Sequence, residues 1–206
     1  MKKALTLIVL IVTPTMAFAQ GLVGFINNSA GLVREWSPLD GTWIPVPTGG
    51  GFVELLTAPA GTAFNSLGTL TGSGFALNYP TLAAFLGANP GWANIATVGF
   101  NTPAAGRFNG GIVTLQSAIP GNANAEYVII GWTGPATTWD AAILAGAFVG
   151  SSPLLTTTTG SGGTPPTPAT LLSATFPGMY LGIPEPTTLA LVGLGAAALM
   201  IFRRRR

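Results

Sequence analysis

The chain has neither cysteine nor histidine among its 206 residues. Without cysteine no disulfide can hold the fold together, so an exported domain must rely on its hydrophobic core. The two absences also remove the usual general base, the usual activator of a nucleophile and the soft metal ligands. We therefore expect no metal site and no cofactor.

Charge is also scarce between residues 20 and 183. This stretch holds two basic residues and five acids: Arg34, Arg107, Glu35, Asp40, Glu54, Glu126 and Asp140. Two bases against five acids give the stretch a net charge of −3, although the whole chain carries +2. A segment with this balance is not expected to bind nucleic acid.

The five acids are the only candidates for catalysis. A glycosidase needs just two suitably spaced carboxyl groups, so an enzyme could be built from them. Nothing in their spacing brings a particular pair together, and the clustered Asp and Asn residues of a calcium loop are absent. Solvated surface groups are the simpler interpretation. We predict that the protein is not an enzyme and name no catalytic residue.

The first 19 residues have the three parts of a secretory signal peptide. Lys2 and Lys3 form a basic region, residues 4–12 are apolar, and Ala17 and Ala19 are the small residues that signal peptidase reads. We predict cleavage after Ala19. A retained membrane anchor is the alternative, but the apolar run is too short to span a bilayer.

The last two dozen residues combine a proline-flanked acid, an apolar run and a basic end. Pro184 and Pro186 keep the chain around Glu185 extended, so a helix must begin after them. The run that follows is apolar on all sides, which suits lipid. We predict a transmembrane helix over about residues 187–202, which at ~1.5 Å per residue covers roughly 24 Å of a ~30 Å hydrocarbon core. Four arginines then hold that end in the cytoplasm: Arg203, Arg204, Arg205 and Arg206.

This arrangement resembles the PEP-CTERM sorting signal of Gram-negative bacteria. The resemblance implies that residues 183–206 are a sorting signal, which a membrane-embedded exosortase recognises and cuts at Pro184, Glu185 and Pro186. It implies a transient inner-membrane precursor whose ectodomain lies outside the cytoplasm, followed by delivery to the cell surface or extracellular matrix. It further implies a role with exopolysaccharide or biofilm. A plain tail anchor and a buried core helix are the alternatives.

Strand and turn patterns dominate residues 20–182, for which we predict one mainly antiparallel β-sandwich domain. The candidate strands are short β-branched and aromatic runs between Gly and Pro turns, at residues 21–27, 51–57, 111–116, 126–132, 154–159 and 170–176. The continuous apolar run at 126–132 suits a central strand. Alternation in 111–116 predicts that Ile112 or Val113 faces the core. Short helices are predicted at 81–86 and 139–144.

Five tryptophans leave a binding role open: Trp36, Trp43, Trp92, Trp132 and Trp139. Trp132 ends the continuous apolar strand and is expected in the core. Trp36, Trp43 and Trp92 lie in Gly- and Pro-rich loops, where a ring either stacks on a sugar or pins its loop. We predict a structural surface or matrix protein, with a carbohydrate-binding module as the alternative. Three coplanar exposed indoles would favour binding, and five buried ones would favour the structural role.

Overall fold

The computed structural model describes residues 19–185. The predicted signal peptide up to residue 18, the predicted transmembrane helix at 187–202 and the arginine cluster lie outside the described residues. Within the described range, no helix combines the length and apolar character needed to cross a membrane.

The described chain is mainly β, as its sequence predicts. The strands are β1 (Gly21–Ile26), β2 (Val33–Ser37), β3 (Thr42–Pro45), β4 (Gly51–Pro59), β5 (Gly68–Thr71), β6 (Gly74–Leu77), β7 (Ala93–Gly99), β8 (Asn109–Thr114), β9 (Asn124–Thr133), β10 (Val149–Ser151), β11 (Leu155–Thr158), β12 (Gly160–Ser161), β13 (Thr170–Leu171), β14 (Met179–Leu181) and β15 (Ile183–Glu185). The helices are α1 (Leu82–Ala88) and α2 (Trp139–Leu144), and a 3₁₀ turn spans Leu172–Ala174.

An antiparallel sheet in the order β10, β9, β4, β7 forms the centre of the fold, and β11 also pairs with β9. Strands β4 and β9 pair without a break from Gly51 opposite Thr133 to Pro59 opposite Ala125. These are the strands that the apolar runs at residues 51–57 and 126–132 predict, and the central position of β9 is confirmed.

Both faces of the central sheet are buried. Leu55 and Ile129 face a first core. This core includes Phe25 on β1 and Phe108, which directly precedes β8. The next residue on each strand, Leu56 and Ile130, faces a second core with side chains from both helices. Successive side chains on a strand point to opposite faces. Because each face meets a core, the two strands are apolar at consecutive positions instead of alternating.

Three smaller sheets surround this centre. Strand β1 pairs with β8, β12 and β13, while β2 lies between β14 and β3, and β6 lies between β15 and β5. The pairs β1 with β13, β2 with β14 and β6 with β15 are parallel. The C-terminal part of the described chain supplies one strand of each parallel pair. The sequence patterns predict antiparallel pairing and do not reveal these three additions.

Local predictions agree with the structure where the sequence carries a clear signal. On β8, Val113 packs toward the first core, whereas Ile112 is 69% exposed. The two helices predicted at 81–86 and 139–144 are observed as α1 and α2. The hydroxyls of Thr81 and Thr138 cap them by accepting hydrogen bonds from backbone N–H groups of the first turn.

The predicted strand at 170–176 is shorter than expected. It is extended only at Thr170–Leu171 and then turns into the 3₁₀ segment, which buries Leu172. A three-residue turn places that leucine in the first core, and a continued strand would point alternate residues away from it.

Candidate functional site

Trp36 and Trp43 lie in strands β2 and β3 and not in loops as expected, and they meet on the β2–β3 hairpin. Trp36 and Trp43 are directly opposed across the antiparallel pair, and their ring centroids lie 5.3 Å apart at an interplanar angle of 70°. Edge-to-face contact of this kind is a favourable geometry for aromatic pairs. Both side chains are half-buried, so part of each ring faces solvent.

The turn of this hairpin is built from local polar contacts. The Ser37 hydroxyl donates a 2.7 Å hydrogen bond to the Asp40 carboxylate, and the Gly41 N–H donates a 2.9 Å bond to the Ser37 carbonyl. Gly41 has φ of +61°, a conformation that favours glycine. The turn therefore fixes the register that sets Trp36 opposite Trp43.

A third ring joins the pair from the far end of the described chain. Tyr180 lies on β14, opposite Arg34 in the parallel pair with β2, and its ring centroid is 4.9 Å from that of Trp43. The Arg34 guanidinium carbon lies 5.9 Å from the Tyr180 ring centroid, within the range of a cation–π contact. We call Arg34, Trp36, Trp43 and Tyr180 the aromatic face.

The aromatic face combines apolar ring surface with polar groups. Tyr180 is 42% exposed, and the two indoles are half-buried, so apolar ring surface lies beside a cation and a phenol hydroxyl. Rings of this kind can cover the C–H face of a pyranose, while the polar groups hydrogen-bond to its hydroxyls. On the opposite side of β2, burial raises the pKa of Glu35 above its usual value.

The other three indoles do not reach this surface. Trp132 and Trp139 are 0% and 1% exposed, so the prediction that Trp132 lies in the core is confirmed. Trp92 is 6% exposed, and its indole N–H donates a 3.0 Å hydrogen bond to the Ala63 carbonyl. Trp92 thus pins its loop, as one of the two interpretations of this position predicts. Neither three coplanar exposed rings nor five buried ones are observed.

The structure brings two of the five acids together, a pairing that their spacing in the sequence does not reveal. Glu54 and Asp140 line one cleft of about 350 Å³, together with Asn94 and Thr97. Burial raises the pKa of Glu54, a hydrogen bond from Asn94 opposes that rise, and the nearby Asp140 adds to it.

Asp140 already has a structural task in this cleft. Its carboxylate accepts a 2.7 Å hydrogen bond from the Leu82 N–H and so joins the start of α2 to the start of α1. Among residues 19–185, no three acidic or other strong metal-ligating side chains cluster closely enough to hold a metal ion.

The predicted sorting residues lie partly within the described range. Pro184 and Glu185 are in β15, which pairs in parallel with β6. The extended conformation that the prolines predict is therefore observed at Pro184. Pro186, Arg203, Arg204, Arg205, Arg206 and Ala17 lie outside the described residues. Ala19 lies at the start of the described chain, where its carbonyl accepts a 2.7 Å hydrogen bond from the Gly121 N–H.

Two contacts could not be predicted from the sequence, that of Tyr180 with Trp43 and that of Thr71 with Glu185. Tyr180 joins the aromatic face only through the parallel pairing of β14 with β2, for which the sequence has no local signal. Thr71 contacts Glu185 across 114 positions of the chain. The placement of Trp36 and Trp43 two residues to either side of the turn at residues 38–41 is the one available signal for the face itself.

Residues 182–206 match the family model of the PEP-CTERM protein-sorting motif. The match confirms the resemblance seen in the sequence, and proteins with this motif are exported and sorted to the cell envelope or surface. No curated protein and no solved structure matches the chain.

Proposed function

We propose that this chain, a PEP-CTERM protein, is an exported surface or matrix protein with a structural role in association with exopolysaccharide. The observation that carries the proposal is the sorting motif at residues 182–206, which implies processing by an exosortase. The predicted signal peptide gives the matching route out of the cytoplasm.

A non-catalytic role fits the chemistry of the described domain. The chain has no cysteine or histidine, and Asp140, one of the two acids in the Glu54 cleft, is bound to the start of α1. Glycoside hydrolysis uses a pair of carboxyl groups, and in this cleft one member of the pair already holds the two helix starts together.

Cell fractionation tests the structural proposal. A strain with the exosortase should show the protein in the surface or matrix fraction together with exopolysaccharide, and deletion of its gene should weaken the matrix. The proposal would be contradicted if the protein of the exosortase-containing strain were absent from the matrix fraction and the matrix stayed intact after deletion of the gene.

Carbohydrate binding is the second candidate, and the aromatic face favours it. Three rings in contact and one arginine form an exposed surface on a sheet that also contains buried anchoring residues such as Val33. The sheet holds the rings in fixed positions before any ligand arrives, so little conformational entropy is lost on binding.

Binding to isolated exopolysaccharide tests this second candidate. The surface-released protein is compared with a Trp36→Ala, Trp43→Ala double variant in a sedimentation assay. We expect the double variant to bind at least about tenfold more weakly, which corresponds to roughly 1.4 kcal/mol. Ile112→Ala removes an exposed apolar side chain from another sheet and should bind like the wild type. Equal binding by all three proteins would remove the aromatic face as a glycan site.

A further inference from the structure

The first residues of the sorting motif, 182–185, are part of the folded domain. In β15, Ile183, Pro184 and Glu185 are paired with Gly74, Phe75 and Ala76 of β6. The Ile183 N–H donates a 2.9 Å hydrogen bond to the Ser73 carbonyl in the β5–β6 turn. The segment just before β15 is also held, because Gly182 and Val149 exchange two backbone hydrogen bonds of 2.9 and 2.8 Å. Residues 182–185 of the motif are therefore docked on the domain.

The acidic side chain of the motif is bound by the same hairpin. Thr71 donates a 2.7 Å hydrogen bond from its hydroxyl to the Glu185 carboxylate. The carboxylate lies over Gly74, where a Cβ atom would overlap it. Glycine at position 74 thus leaves the room that Glu185 needs to reach Thr71.

Pro184 occupies a position of β15 whose backbone faces away from β6. The Ile183 N–H points to β6, so the alternation of a parallel ladder turns the backbone of Pro184 toward the open edge. Proline has no N–H, so none is lost to the ladder with β6, and the open edge cannot pair fully with another extended chain. An enzyme that binds its substrate as an extended strand would therefore find, on docked β15, an edge at which Pro184 donates no hydrogen bond.

We propose that the β5–β6 hairpin is an internal binding site for the sorting motif, and that the exosortase cuts the precursor only after β15 has left β6. This rests on processing of the motif by the exosortase. Docking commits one backbone edge and the Glu185 carboxylate to the protein's own hairpin, so the enzyme and the hairpin compete for the same groups. Thr71 and Gly74 then control processing although they lie far outside residues 182–206.

Thr71→Val is the variant that weakens docking with the least disturbance. Thr71 is exposed, and the substitution removes one hydrogen bond to a charged group while it keeps the β-branched shape. Loss of this hydrogen bond should raise the fraction of molecules in which β15 is undocked by roughly threefold to tenfold. Thr69→Val is the matched control, because Thr69 lies on the same strand, is exposed, and its hydroxyl bonds to none of the described residues.

Hydrogen exchange on the full-length precursor in detergent tests the docking itself. The amides of Ile183 and Glu185 should be protected in the wild type and in Thr69→Val. In Thr71→Val they should exchange roughly threefold to tenfold faster. Unprotected amides at both positions in the wild type would overturn the proposal.

Pulse labelling in cells that have the exosortase tests the order of events. We expect the Thr71→Val precursor to be cut faster than the wild type by the same factor, and Thr69→Val to be cut at the wild-type rate. An unchanged or slower rate for Thr71→Val, despite faster exchange, would overturn the proposal because the enzyme would then act on the docked strand. A wild-type precursor that is protected but never cut would instead refute the sorting role and leave the docking site in place.

Discussion

The side-chain oxygen of Asn27 accepts a 2.7 Å hydrogen bond from the backbone N–H of Phe108, 81 positions later in the chain. The amide nitrogen of the same side chain donates to the carbonyls of Gly31 and Gly106, at 2.6 and 2.9 Å. Asn27 is 3% exposed, so one buried amide satisfies three backbone groups where the loops after β1 and before β8 meet.

We expect Asn27→Asp to destabilise the fold by about 2–4 kcal/mol, because an acceptor replaces the donor that faces two carbonyls. Urea unfolding of the purified protein measures this loss. Asn28→Asp makes the same chemical change at the half-buried neighbouring position and should cost less, about 1 kcal/mol or below. Equal losses in the two variants would contradict the assigned role of Asn27.

Glu54→Gln should stabilise the protein, and more so at pH 7 than at pH 4. Burial raises the pKa of Glu54 above 4.5, so the folded state binds its proton more tightly than the unfolded chain. Wild-type stability therefore falls as the pH rises from about 4.5 through the raised pKa, and glutamine removes that loss. Urea unfolding at both pH values tests this. A stability difference that does not change with pH would contradict the prediction.

Acrylamide should quench two of the five tryptophans. Trp36 and Trp43 are half-buried, whereas the other three indoles are at most 6% exposed. We expect a Trp36→Phe, Trp43→Phe double variant to lose the quenchable part of the fluorescence and to retain the protected part. Uniform protection of all five rings in the wild type would exclude the aromatic face as a binding surface.

Signal peptidase should produce a chain that begins at Gln20. The predicted cleavage point lies immediately before β1. Cleavage there removes the hydrogen bond from the Gly121 N–H to the Ala19 carbonyl but leaves the pairs of β1 with β8 intact. Mass spectrometry of the N-terminal peptide from envelope protein identifies the start, with or without cyclisation of Gln20. A start at Met1 would show that the signal peptide is retained.

The sequence predicts the parts of this fold that carry a local pattern. The strands β4 and β9 show as apolar runs because both of their faces are buried, and α1 and α2 lie where short helices are predicted. Strands of three or four residues, such as β6 and β14, are too short to display a period and form through pairing with distant segments. The same limit applies to the candidate sites. Residue type alone suggested Trp36 and Trp43, but the addition of Tyr180 and the contact of Thr71 with Glu185 depend on parallel pairings.

The direction of β15 relative to β6 determines how the domain bears a pull on Glu185. The two strands run parallel. A pull on Glu185 along the strand axis loads the three residue pairs in shear, so their contacts must slip together instead of peeling apart one at a time. The two backbone hydrogen bonds between Gly182 and Val149 lie directly behind them in the load path. A force applied at Glu185 therefore passes to the central sheet through β10.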